Sequence, residues 1–249
     1  MGSDREPTKS FESVKSAERS AKSAERSAKS ADMFRAILRS QWRWCRLVIV
    51  LGTVAGFSLP VLSLQGATRG NGAMPPDALL RLLRSWGILY PLLAGLLGLL
   101  VAMAAWAPDH RGRHVHALTL PLTRWRYVLL RFGAGLAVLG LPVAAVLAGA
   151  VLATATAIIP PGLHGYAWAL GLRFALAVLV AFSLFFAISG GTARTAGVIL
   201  GLLALVVVGQ ILASTAGLEI DLLGGLQQAL LGWPGPLAIF SDQWMLIDV

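Results

Sequence analysis

Charge is scarce in this 249-residue chain, and cysteine is nearly absent. Only 13% of the residues are charged, about half the ~25% usual for a soluble domain. Hydrophobic residues make up 56%, with a mean hydropathy of +0.71. That balance excludes an ordinary water-soluble domain and points to an integral membrane protein. The single cysteine, Cys45, excludes an internal disulfide and a paired-thiolate metal site. The chain has no glycine-rich loop ending in Lys-Ser or Lys-Thr, so it carries no nucleotide cradle of that kind. Basic residues stop at Arg194, and 11 of the 21 lie within the first 46 residues. The net charge of +9 is thus a gradient along the chain, which reads as membrane topology rather than nucleic-acid binding.

What is present is a set of apolar runs of hydrocarbon length. About 20 apolar residues cross a bilayer as a helix, and five runs qualify, near 45–65, 86–107, 132–157, 168–189 and 193–214. Lipid offers no partner for an unpaired amide, so single apolar runs must cross as helices. The expected fold is an all-α polytopic helix bundle. Glycines in the later runs, among them Gly98, Gly133, Gly135 and Gly149, favour close helix approach in a compact bundle or a dimer. Pro60, Pro91 and Pro142 are expected kinks.

Residues 1–32 form a basic Ser/Ala-rich arm. The heptad KSAERSA repeats from Lys15, with Glu18–Lys22 and Glu25–Lys29 as helix-favouring pairs. Alanine buries little area, so the arm reads as solvated and partly helical, or else as a docking helix. From Met33 the pattern turns amphipathic. Phe34, Ile37, Leu38 and Trp42 share one face, and Arg35, Arg39, Arg43 and Arg46 take much of the rest. This predicts an interfacial helix on an anionic leaflet, before the chain turns into the first span.

The most unusual stretch is PDHRGRHVHALTLPLTRWRYVLLR, residues 108–131. It holds five arginines and three of the four histidines around a short apolar peptide, Ala117–Leu122. Positive charge before the first span, in 108–131 and at Arg194 places these parts inside. The loop 158–167 and the tail beyond 214 have neither Lys nor Arg and belong outside. Residues 66–85, with Arg69, Arg81 and Arg84, break the charge rule but fall outside by alternation. The tail 215–249 suits a re-entrant or interfacial helical pair, and Trp244–Val249 reads as a lead-in to a further helix.

Taken together, the surface helix MFRAILRSQWRW, the loop Leu118-Thr119-Leu120-Pro121-Leu122-Thr123-Arg124 and the tail from Trp233-Pro234-Gly235-Pro236-Leu237 to Val249 resemble the membrane subunit of type-two ABC exporters. The loop looks like that family's "LPVSR" element. The resemblance implies six spans, of which five are visible, both termini cytoplasmic, and multi-pass insertion in a bacterial plasma (inner) membrane. It implies a dimeric pathway formed with a second permease copy or a paralogue, and a separate cytoplasmic ABC ATPase dimer that binds the ATP and Mg. The chain itself then needs no cofactor, no catalytic residue and no nucleic-acid partner. His114, His116, Leu118, Thr119, Leu120, Pro121, Thr123, Arg124 and Arg126 become the ATPase-coupling residues, and the interfacial helix a second contact. A mostly apolar bundle favours a hydrophobic or amphiphilic substrate.

Other readings use the same residues. His110 and His114 are one helical turn apart, but the loop has no second carboxylate or thiolate to complete a metal site. An intramembrane enzyme needs ionisable groups at depth. The later spans hold only Thr154, Thr156, Ser183 and Gln210 there, while Arg131 and Arg173 lie near span ends and are expected to snorkel. A non-transporting scaffold or sensor accounts for the helices but not for the apolar peptide within the basic loop.

Overall fold

The computed structural model describes residues 7–68, 76–111, 123–157, 162–191, 198, 201–202, 205–206, 208–210, 222–235, 237–241 and 244–248. The principal helices are α1 (Pro7–Thr68), α2 (Pro76–Gly87), α3 (Leu89–Arg111), α4 (Arg124–Thr156), α5 (Ala167–Gly190) and α6 (Leu222–Leu231). Two short strands, β1 (His164–Gly165) and β2 (Ile247–Asp248), pair antiparallel.

Four helical segments among the described residues are long and apolar enough to cross a membrane: Ser30–Gln65, Leu79–Ala107, Trp125–Thr156 and Ala167–Gly190. Only 33–39% of each apolar window is buried within the bundle. The rest, including Leu47, Val54, Leu92, Met103, Leu141 and Leu172, is exposed apolar surface. Apolar surface of this kind is what lipid covers, and the four helices are what a polytopic helical membrane protein would present. The expected fifth span near 193–214 lies mostly outside the described residues.

Close contacts give the helix directions. Gln41 meets Arg131, and Phe57 meets Gly149, so α1 and α4 run parallel. Gly98 lies on Ala181, and Trp106 on Phe186, so α3 and α5 run parallel as well. Gly135 against Phe182 and Gly171 against Leu147 make α4 and α5 antiparallel. Up-and-down neighbours of this kind need only short connections. Two glycines set the spacing. A Cβ on Gly149 would collide with the Phe57 carbonyl oxygen, and one on Gly98 would sit 2.7 Å from the Phe182 amide nitrogen. In both cases the obstacle is backbone, which cannot rotate away, so helix–helix contact there depends on the missing side chain.

Several expectations change. The stretch 33–44 is not a separate helix followed by a turn: α1 continues unbroken from Pro7 to Thr68. No glycine or proline falls between Met33 and Leu51 to break it, and Leu38 packs against the bundle core. The arm before it is helical too, with Ser20, Ala21, Ala24 and Ala28 exposed. Pro91 lies in the first turn of α3, where its missing N–H costs nothing, whereas Pro60 and Pro142 lie inside α1 and α4. The third span begins earlier than 132, at Arg124, because the helix includes the basic turn before the apolar run.

The tail is packed onto the bundle. Trp244, Leu246 and Ile247 are buried, and β2 pairs with β1 in the connection between α4 and α5. The Tyr166 amide donates to the Leu246 carbonyl at 2.9 Å. Apolar side chains and strand pairing hold this run against the bundle. Helix α6, at ten residues, is ~15 Å long and too short to cross a bilayer. It folds back on the 3-10 turn Ala238–Phe240 through Leu237 N–H to Leu230 O (2.8 Å) and Ser241 Oγ to Leu231 O (2.7 Å). Gly87 at the end of α2 also abuts Trp244. The two regions that the charge pattern assigns to one side, and α2, which alternation places with them, therefore meet at one end of the bundle.

Candidate functional site: the junction beneath the basic loop

At the opposite end, the chain leaves α3 at Arg111 and re-enters α4 at Arg124. His114, His116, Leu118, Thr119, Leu120 and Pro121 lie outside the described residues, and of the His110–His114 metal candidate neither side chain is described. What is described is how the loop joins the bundle.

Thr123 is the N-cap of α4, with extended backbone and no side-chain cap bond. Its carbonyl accepts from the amides of Arg126 (3.0 Å) and Tyr127 (3.3 Å), which starts the helix. The Arg124 side chain is outside the described set. Arg126 is exposed, with its guanidinium 5.6 Å from the ring centre of Trp125, itself 60% exposed. This pair projects from the first turn in the manner of an aromatic–basic membrane-interface anchor.

One and a half turns further on, Arg131 turns inward. It is only 4% exposed, which corrects the expectation that it snorkels. The physical reason is a set of partners within the bundle. Its guanidinium lies 5.0 Å from the Trp106 ring centre and 5.1 Å from that of Tyr127, and it donates a hydrogen bond to the Tyr127 hydroxyl. Stacked between two electron-rich faces, the cation gains part of what it loses by leaving water. Gln41 on α1, also buried, donates from Nε2 to the Arg131 carbonyl at 3.0 Å. Trp106 on α3 in turn donates from Nε1 to the Phe186 carbonyl on α5 at 3.1 Å. The Phe186 ring lies 5.1 Å from that of Trp106, and Phe132, Phe182 and Phe186 pack on one another with centroid distances of 5.2–5.4 Å. Gly190 lets Trp106 lie flat on the last turn of α5, since a Cβ there would come within 2.6 Å of the indole.

Four helices thus converge at Trp106 and Arg131, directly below the points where the loop leaves and rejoins the bundle. Of the residues singled out in the sequence, Phe34 and Leu38 reach α4: the Phe34 ring approaches the Cβ position of Gly133 at 3.8 Å, and Leu38 is half-buried. Ile37 is half-buried, and Trp42 is 41% exposed. Gln41, Trp106 and Arg131 did not stand out as a set. The available signal was an arginine eight residues into a helix whose next 25 residues carry no charge.

Comparison of the chain with protein-family models, with curated proteins and with solved structures found no match.

Proposed function

We propose that this chain is the membrane subunit of an ATP-driven ABC exporter, coupled through its 108–131 loop to a separate cytoplasmic ATPase dimer. In this reading it contributes half of a dimeric pathway with a second copy or a paralogue, in a bacterial inner membrane with the N-terminus cytoplasmic. Its substrate is hydrophobic or amphiphilic. ATP and Mg belong to the partner. The chain performs no catalysis; its work is mechanical.

The observation that carries the proposal is the anchoring of the loop. A lever must be fixed to what it moves, and both ends of this loop are fixed near one node. Trp106 precedes the loop by a few residues and binds α5; Arg131 follows it, stacks on Trp106 and takes a hydrogen bond from α1. A displacement of the loop by a partner would be passed to α1, α3, α4 and α5 together, because packed cores do not deform continuously. The short apolar peptide Leu118–Leu122 within basic flanks supplies a graspable surface, and the resemblance of Leu120-Pro121-Leu122-Thr123-Arg124 to a known coupling element supports the same assignment.

Replacing Leu118 and Leu120 by Asp tests this. The tagged wild-type protein, purified in mild detergent, should bring down a stoichiometric soluble ATPase identified by mass spectrometry. The double variant should insert and fold equally well but lose that ATPase by tenfold or more, roughly the effect of losing an apolar hot spot. Full retention of the ATPase by the variant would remove the role assigned to the loop, and a well-folded wild-type chain that purifies alone would remove the transporter reading.

A further inference from the structure

Beside the junction, on the outer face of the bundle, α1 and α4 diverge to leave a groove of about 550 Å³ lined by Leu38, Arg39, Trp42, Arg43, Ala137, Val138 and Leu141. Its two sides differ in chemistry. Leu38, Trp42, Ala137, Val138 and Leu141 form an apolar floor and wall, with Trp42 41% and Leu141 48% exposed. Arg39 and Arg43, one helical turn apart and both exposed, form a cationic rim. The same two arginines also border a second, more polar hollow with Ala36, Ser40 and Trp44. On the α4 side its wall includes the small residue Ala137.

Among the described residues the rim charge has no acidic counterpart. Arg35 faces Asp32 at 3.6 Å, but among the described residues neither Arg39 nor Arg43 has an ion pair. Two adjacent guanidinium groups suit a phosphate, which Arg recognises with paired donors. They sit where α1 passes from its polar arm into its apolar span, beside two interfacial tryptophans, Trp42 and Trp44. A soluble anion would leave the apolar wall wet, and an apolar molecule would leave the arginines unmatched. A ligand with one anionic end and one hydrocarbon end satisfies both.

We propose that this groove is a binding site for an anionic phospholipid, whose phosphate lies between Arg39 and Arg43 and whose acyl chain lies along Trp42, Ala137 and Leu141. The site depends only on the helical membrane fold and stands apart from the ATPase reading. A bound lipid would tie α1 to α4, the two helices that the Gln41–Arg131 hydrogen bond also joins.

The test is native mass spectrometry of the full chain, delipidated in mild detergent and supplied with phosphatidylglycerol or phosphatidylcholine. Wild-type protein should retain phosphatidylglycerol selectively. At the contribution typical of an arginine near an anionic headgroup, Arg39→Gln with Arg43→Gln should weaken that retention by about thirtyfold, and either change alone by about fivefold. The single variants decide the matter if the double variant does not fold. Ala137→Trp, which fills the apolar wall with both arginines intact, should also reduce retention, and glycerol phosphate should not displace the lipid. Equal retention of the two lipids, or undiminished phosphatidylglycerol on the folded arginine variants, would overturn the proposal. So would unchanged retention by Ala137→Trp, or displacement by glycerol phosphate, which would make the site one for a soluble phosphate. Lipid retention without selectivity, combined with loss of a co-purifying protein from the arginine variants, would reassign the rim to a protein contact.

Discussion

The two ends of the bundle use the same pair of residues for different purposes. At one end Arg131 lies 5.0 Å over Trp106; at the other Arg173 lies 4.9 Å over Trp244. The first pair joins two spanning helices and draws in two more through Gln41 and Phe186. The second joins one spanning helix to the tail: Trp244 also stacks on Tyr90 with centroids 6.2 Å apart, and Arg173 donates to the Ile239 carbonyl at 3.2 Å. A cation–π pair in a membrane protein therefore reports where an arginine finds shelter from lipid, not what the arginine is for. Its role is decided by what else the two residues hold. One node binds the bundle to itself beneath the basic loop. The other staples a docked segment to an end that the bundle could form without it.

The difference can be broken at either end. Trp106→Ala should have the largest effect, about 4 kcal/mol, since it deletes a buried indole, the stacking on Arg131 and the hydrogen bond to α5. We expect a global loss of stability, read as a lower thermal midpoint of the whole protein in detergent. Trp244→Ala should cost about 2 kcal/mol and act locally, because its partners lie at one end. Limited proteolysis should then cleave the tail beyond residue 222 while the four spanning helices keep their midpoint. Arg173→Gln should have the smallest effect, about 1 kcal/mol, loosening the tail without releasing it. If Trp244→Ala lowered the global midpoint as far as Trp106→Ala, the two ends would be equivalent and the distinction would fail.

The membrane class and four of the spans are legible in the sequence because hydrocarbon thickness imposes a length on any crossing helix. Leu89–Ala107 and, beyond Arg173, the rest of Ala167–Gly190 are apolar nearly all round, and that same property hides their packing. A helix without a polar face gives no period from which to read its inward side. Trp106 and Phe186 are therefore visible as residues but not as partners. Arg131 is misleading for a related reason. Near the end of an apolar run, the cheap solution for arginine is to snorkel, and only the placement of Trp106, 25 residues earlier, offers another. The docking of Ile247 on Gly165 depends on a pairing across some 80 residues, which local pattern does not carry. By contrast, the side-sharing of 158–167 and the tail was readable from charge alone.

The most direct measurement is site-specific photocrosslinking in intact cells, with the reactive group placed at Thr123 above the Arg131 node or at Ser241 in the docked tail. Both positions are exposed; replacing Ser241 removes its bonds to the Leu231 and Ala238 carbonyls but leaves the buried core untouched. The account predicts that a single soluble nucleotide-binding ATPase is captured from position 123 and none from position 241. Capture of that ATPase from 241, or of no ATPase from 123, would contradict it.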